Sequence, residues 1–253
     1  MAAHANDSKY IPGTTYPKQR RSAPEMASRY VREWDEKRIE KRGKEPELAE
    51  SPPIICISRK LALGAMEIAD ILAEKIGYRV VDHQILQHIA TDASLSEKTV
   101  AIFDERYPGK LSELVTFAFG EKAFIKSDYT KQLFSSVYAI AALGPTIFVG
   151  RGVHLLLSNE KLLAVRIISS VQFRVQRLVS RLNISKEEAA NQIRELDQQQ
   201  TAFFKEVYNK KDASPYEFDL VINCDYIREP RWVAEIILSA FREKFGLPET
   251  GGR

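Results

Sequence analysis

A chain of 253 residues, 44% of them hydrophobic, can bury one sizeable α/β core or two small ones. Its 37 Lys and Arg nearly balance its 34 Asp and Glu, and a net charge of +3 gives no case for nucleic acid as a partner. No apolar stretch reaches the ~20 residues of a membrane helix, and the opening, with His4, Asn6, Asp7 and Lys9, lacks the apolar centre of a signal peptide.

A cytoplasmic protein without membrane contact is therefore expected. The two cysteines, Cys56 and Cys224, lie inside apolar runs without the spacing of a metal knuckle or a redox pair. They are expected to be reduced core thiols, as suits a reducing compartment, and no metal site is read from the sequence.

In chain order, residues 1–50 come first and differ from the rest. Pro12, Gly13, Pro17 and Pro24 punctuate a polar opening that reads as a flexible tail. From Pro24 to Arg42 the pattern is helical, with Met26, Tyr30, Trp34 and Arg38 on one stripe. This amphipathic helix could dock on the main domain, or on a protein partner through residues 25–42.

The main domain is expected over residues 51–247. Ile54-Ile55-Cys56-Ile57-Ser58 is a continuous apolar run, as in a strand buried on both faces. Ile68, Ile71, Leu72 and Ile76 then recur at helical spacing, and Gly77 stands where a helix ends. Further strands are expected at 78–82, 146–150, 164–168 and 219–223. Helices are expected within 84–143, including 127–143, and at 171–182, 186–208 and 229–245. Ser185 and Glu188 have the spacing of a capping box. Five short apolar strands alternating with helices imply an α/β fold, a doubly wound five-stranded parallel sheet with helices on both faces. Ligands of such sheets bind at the carboxyl ends of the strands.

The first strand–turn–helix, Ile57-Ser58-Arg59-Lys60-Leu61-Ala62-Leu63-Gly64-Ala65-Met66-Glu67-Ile68-Ala69, is placed to hold phosphate. Backbone N–H groups point inward at such a turn, and the helix N-terminus adds positive potential. Arg174, Arg177 and Arg181 share one face of a later helix. Asp82 ends the second strand, where it could also cap the next helix. Arg151 follows the third strand between Gly150 and Gly152.

Taken in order, these pieces resemble the cytidylate kinase-like family, within the nucleoside monophosphate kinases of the P-loop superfamily. Ser58, Arg59, Gly64, Glu67, Ile68 and Ala69 match its opening. Tyr78-Arg79-Val80-Val81-Asp82 is similar to its short strand ending in aspartate, and Ile147-Phe148-Val149-Gly150-Arg151-Gly152 to its Val-Gly-Arg-Gly signature. Arg174 and Arg177 match its Arg-x-x-Arg helix. Glu187-Glu188-Ala189, Asp197 and Phe203-Phe204 echo its lid, and Phe218-Asp219-Leu220-Val221-Ile222-Asn223 its last strand. The likeness spans about residues 54–240.

The resemblance implies phosphoryl transfer from ATP, with Mg²⁺, to a nucleoside monophosphate such as CMP. Ser58, Arg59, Lys60, Gly64 and Ala65 would hold the ATP phosphates. Asp82, Arg151 and Asp197 would bind the acceptor, and Arg151, Arg174 and Arg177 would serve catalysis. Residues 174–210 would form the lid. The sequence departs from the family at Ala62, Leu63, Ala65 and Met66 in the turn, and at Gln198, Gln199 and Gln200 after Asp197, where basic residues are expected. Glutamine cannot neutralise transition-state charge, and losing one such cation can cost roughly 10³-fold in rate. Arg59 and Lys60 could supply the missing charge. The alternative reading is a catalytically silent nucleotide sensor, or an interaction protein that uses its N-terminal helix.

Overall fold

The computed structural model describes residues 21–40, 52–106, 128–157 and 159–247. The tail expected at the start of the chain lies outside the described residues.

Five strands form one parallel sheet in the order β2-β3-β1-β4-β5. They are β1 (Ile54–Arg59), β2 (Arg79–Asp82), β3 (Thr146–Val149), β4 (Leu162–Ile168) and β5 (Leu220–Asn223). The three inner strands are buried almost throughout, which is why they read as mostly apolar runs. The edge strands β2 and β5 are only partly covered. The expected doubly wound α/β fold is the one observed.

The chain divides into two compact units, and the division passes through β1. One unit holds residues 57–76 and 164–247 of the described chain. Its helices are α2 (Ala65–Ile76), α6 (Val171–Leu182), α7 (Lys186–Tyr208) and α8 (Pro230–Phe245). Helix α2 packs on α8, and α6 packs on α7. The last two helices have the bounds the periodicity predicts, because both ends are written locally. Ser170 Oγ accepts from Phe173 N at the start of α6, and Asn183 closes that helix in the left-handed region. Ser185 Oγ accepts from Glu188 N at 3.1 Å, one half of the expected capping box.

The other unit holds 21–40, 52–56 and 77–163. Its helices are α1 (Ala23–Glu40), α3 (His83–Thr91), α4 (Ala93–Arg106) and α5 (Asp128–Leu143). Helix α1 packs against α3, α4 and α5. A reciprocal capping box starts it: Ser22 N donates to Glu25 Oε2 at 3.0 Å, and Glu25 N donates to Ser22 Oγ at 3.5 Å. The buried face is Ala27, Tyr30 and Val31, with Met26 half-buried. The expected stripe thus holds at Tyr30, and Ala27 and Val31 beside it are buried as well. The side chains of Trp34 and Arg38 lie outside the described residues. Arg79 of β2 fixes the helix with two hydrogen bonds to Glu33, at 3.2 and 3.0 Å, and lies 5.5 Å from the centre of the Tyr30 ring.

Candidate functional site

The turn after β1 is filled with buried side chains. Ala62 has φ +68° and Gly64 φ +71°, both left-handed. For alanine that conformation costs about 1–2 kcal/mol, and here the surroundings hold it. The Ala62 methyl is packed in a buried cluster with Val175 and Leu178 of α6 and Ala189 and Ile193 of α7. Leu61 and Leu63 are buried as well. Met66, at the expected basic position, is buried as the second residue of α2.

Gly64 also leaves room for Arg177. A methyl group there would run into Nη2 of Arg177, so the guanidinium lies against the glycine backbone at the head of α2. Arg177 reaches Glu67 Oε2 at 3.4 Å, and Arg181 reaches the same oxygen at 3.5 Å. Cys224, which follows β5, is buried near Arg177. Burial pushes its thiol up to about 11, with the Arg177 charge pulling down and Asp225 pushing up.

The three arginines of α6 are graded in exposure. The Arg174 side chain is 3% exposed, Arg177 19% and Arg181 39%. Arg174 gives two hydrogen bonds of 2.8 Å to the two carboxylate oxygens of Asp197. This bidentate pair ties α6 to α7. Two residues expected to meet a substrate separately therefore meet each other.

The cations at the end of β1 are engaged too. Lys60 Nζ donates to Asp212 Oδ2 at 2.6 Å, and Arg166 Nη2 donates to Oδ1 at 2.8 Å. Arg166 also donates to Ser58 Oγ at 2.6 Å. Burial raises the Asp212 carboxyl, but the Lys60 hydrogen bond and the Arg166 charge outweigh it and hold the group below its usual range. Gln200 donates through Nε2 to the Arg59 carbonyl at 3.3 Å, fastening α7 to the turn. Arg59 itself is buried, and Ala65 is the first residue of α2.

Asp82 and Arg151 belong to the other unit. The register Asp82↔Val149 sets both at the carboxyl ends of β2 and β3. Asp82 caps α3, its Oδ1 accepting from Gln84 N and Ile85 N at 3.0 Å each. Arg151 has φ +56° and donates to Gln87 of that same helix. A non-glycine residue held left-handed at a strand end is the kind of local strain that accompanies ligand sites.

Sequence reasoning missed Arg166, Asp212 and the part played by Glu67. Arg166 was open to detection as a lone charge inside an apolar strand. Asp212 is hidden in a charged loop, and its pairing depends on the fold. Glu67 at the head of α2 is engaged by two arginines, and among the described residues no group of three His, Cys, Asp or Glu side chains gathers to hold a metal ion. No described helix is long and apolar enough to cross a membrane.

Comparison with known proteins gives one family. Residues 54–226 match the model of the cytidylate kinase-like family. Among solved structures, an uncharacterized protein from Eubacterium ventriosum superposes with a TM-score of 0.59 at 17% identity, covering 76% of this chain and 98% of that one. Shikimate kinase from Bacteroides thetaiotaomicron gives 0.38 at 15%, covering 77% and 99%. Dephospho-CoA kinase from Campylobacter jejuni gives 0.31 at 14%, covering 76% and 97%. No curated protein matches the sequence.

Proposed function

We propose, for a chain that belongs to the cytidylate kinase-like family, that it binds a nucleoside triphosphate at the turn after β1 and transfers phosphoryl groups only slowly to a CMP-like monophosphate. The carrying observation is Arg177, whose guanidinium lies against Gly64 at the head of α2. A cation there sits where backbone N–H groups and the helix dipole already favour phosphate. It supports Arg177 as a substitute for the basic residue missing at Met66. ATP is then a substrate, and any Mg²⁺ arrives with it. In this reading residues 174–210 form the lid, and Asp82 and Arg151 serve the acceptor nucleotide. The free buried thiols of Cys56 and Cys224 support a cytoplasmic setting.

Slow turnover follows from where the charges are. Arg174 is held by Asp197, Lys60 by Asp212, and a glutamine faces the turn from α7. None of these adds free positive charge for a transferring phosphoryl group. The same observation favours a second reading, a nucleotide sensor without turnover.

Melting shifts with ATP, ADP, CMP and dCMP, followed by an assay of ADP formation, test both. A ligand at 100 times its Kd adds roughly 2.7 kcal/mol. Shifts with ATP and CMP together with slow ADP formation are expected. A shift with ATP alone and no turnover would leave the sensor. No shift with any nucleotide would end both readings.

A further inference from the structure

Glu67 is placed as an internal competitor for phosphate. Its Oε2 takes one hydrogen bond from Arg177 and one from Arg181, at 3.4 and 3.5 Å, both long for charge-assisted bonds. Each planar guanidinium carries several donors, yet the carboxylate meets each at only one contact among the described residues. The Arg174–Asp197 pair on the same helix shows the contrast: two bonds of 2.8 Å, with the arginine 3% exposed. One arginine of α6 is locked by its acid, while the next two share a loosely held one.

We propose that Glu67 is a built-in phosphate mimic that occupies the Arg177–Arg181 pair until a polyphosphate displaces it. This rests on the nucleotide-binding reading and adds how that site is regulated. Three features favour exchange. Arg177 and Arg181 are 19% and 39% exposed, so water and a ligand can reach the pair. A phosphate group offers three oxygens to the two forks where Glu67 uses one. The Arg177 guanidinium already lies against the Gly64 backbone, beside the N–H groups that open α2, so a phosphate taking the place of Glu67 would meet those donors as well. Glu67 thus sets how much polyphosphate is needed before the site fills, and it screens out weak anions.

The test is calorimetric titration of the full chain and of Glu67→Gln with inorganic tripolyphosphate, ATP and sulfate. Glutamine keeps the shape and removes the competing charge. Binding of tripolyphosphate and ATP about tenfold tighter by Glu67→Gln is expected, with sulfate gaining measurable binding. The double variant Glu67→Gln/Arg177→Ala should lose the gain. Arg181→Ala in the wild-type background guards against a folding artefact: it should weaken polyphosphate binding severalfold with little change in melting temperature. If wild type binds ATP and Glu67→Gln binds it equally or more weakly, the competitor role is overturned and the nucleotide reading stands. If neither protein binds any polyphosphate, both fall together.

Discussion

Arg174 grips both carboxylate oxygens of Asp197 at 2.8 Å across the interface of α6 and α7, with its side chain 3% exposed. A buried guanidinium that loses its paired acid keeps its desolvation cost. Breaking such a pair typically costs 3–5 kcal/mol. Asp197 retains 31% exposure, which lets water replace part of the loss. Asp197→Ala should therefore destabilise the protein by about 2–3 kcal/mol in urea unfolding. Replacing both residues with apolar ones of similar volume, Arg174→Met with Asp197→Leu, should recover most of this. If Asp197→Ala leaves the urea midpoint unchanged, the pair is not structural and Arg174 is available to a ligand.

This pair also marks the limit of what sequence reveals. The strands were legible because inner strands of a parallel sheet are covered on both faces, and Ile54–Ile57 and Thr146–Val149 carry that burial as plain apolar runs. Helices α6 and α7 were legible to the residue because Ser170, Asn183 and Ser185 write their ends. The arginine stripe was legible as a stripe. Which of its members points inward depends on how α7 packs, and spacing along one helix carries no information about that. So Arg174 and Asp197, 23 residues apart, were assigned separate roles. Asp82 offered two roles in the sequence, and its helix cap is the one the geometry displays.

Ala62 sets two opposing energies against each other. Its φ of +68° costs about 1–2 kcal/mol, which glycine would relieve. Its methyl is buried against Val175, Leu178, Ala189 and Ile193, worth about 0.8 kcal/mol, and glycine also gains freedom when unfolded. Ala62→Gly should change stability by no more than about 1 kcal/mol in either direction by these figures. The same change clears space in the turn, so tighter ATP binding is expected in the calorimeter. A large destabilisation with no gain in affinity would show that the methyl mainly holds α6 and α7 together.

Helix α1 is a working part of its unit through Tyr30 and Glu33. Tyr30 is 4% exposed, and the Arg79 guanidinium bonded to Glu33 lies over its ring. Removing a buried aromatic side chain costs about 3–5 kcal/mol. Tyr30→Ala should lower the melting temperature by roughly 6–20 °C. Deleting residues 1–50 should be worse, because it uncovers the apolar faces of α3 and α5. A truncated chain that melts like the full one would restore the idea of a helix held for a protein partner.

Asp212 gives the pH test. Lys60 and Arg166 hold one carboxylate oxygen each, and together they keep the group ionised below its usual range despite partial burial. An unfolded aspartate titrates near pH ~3.9. With the folded value lower, the unfolded state takes up the proton first. The stabilisation is therefore present in full above that pH and is lost as pH falls through the folded value. Asp212→Asn should be less stable than wild type at pH 7, and the gap should narrow steadily from about pH 4 downward. Urea midpoints of both proteins at pH 7, 4, 3 and 2 would read this directly. A gap that stays constant over the series would mean that the carboxylate charge is not what joins Lys60 to Arg166, and that the loop after α7 is held by packing alone.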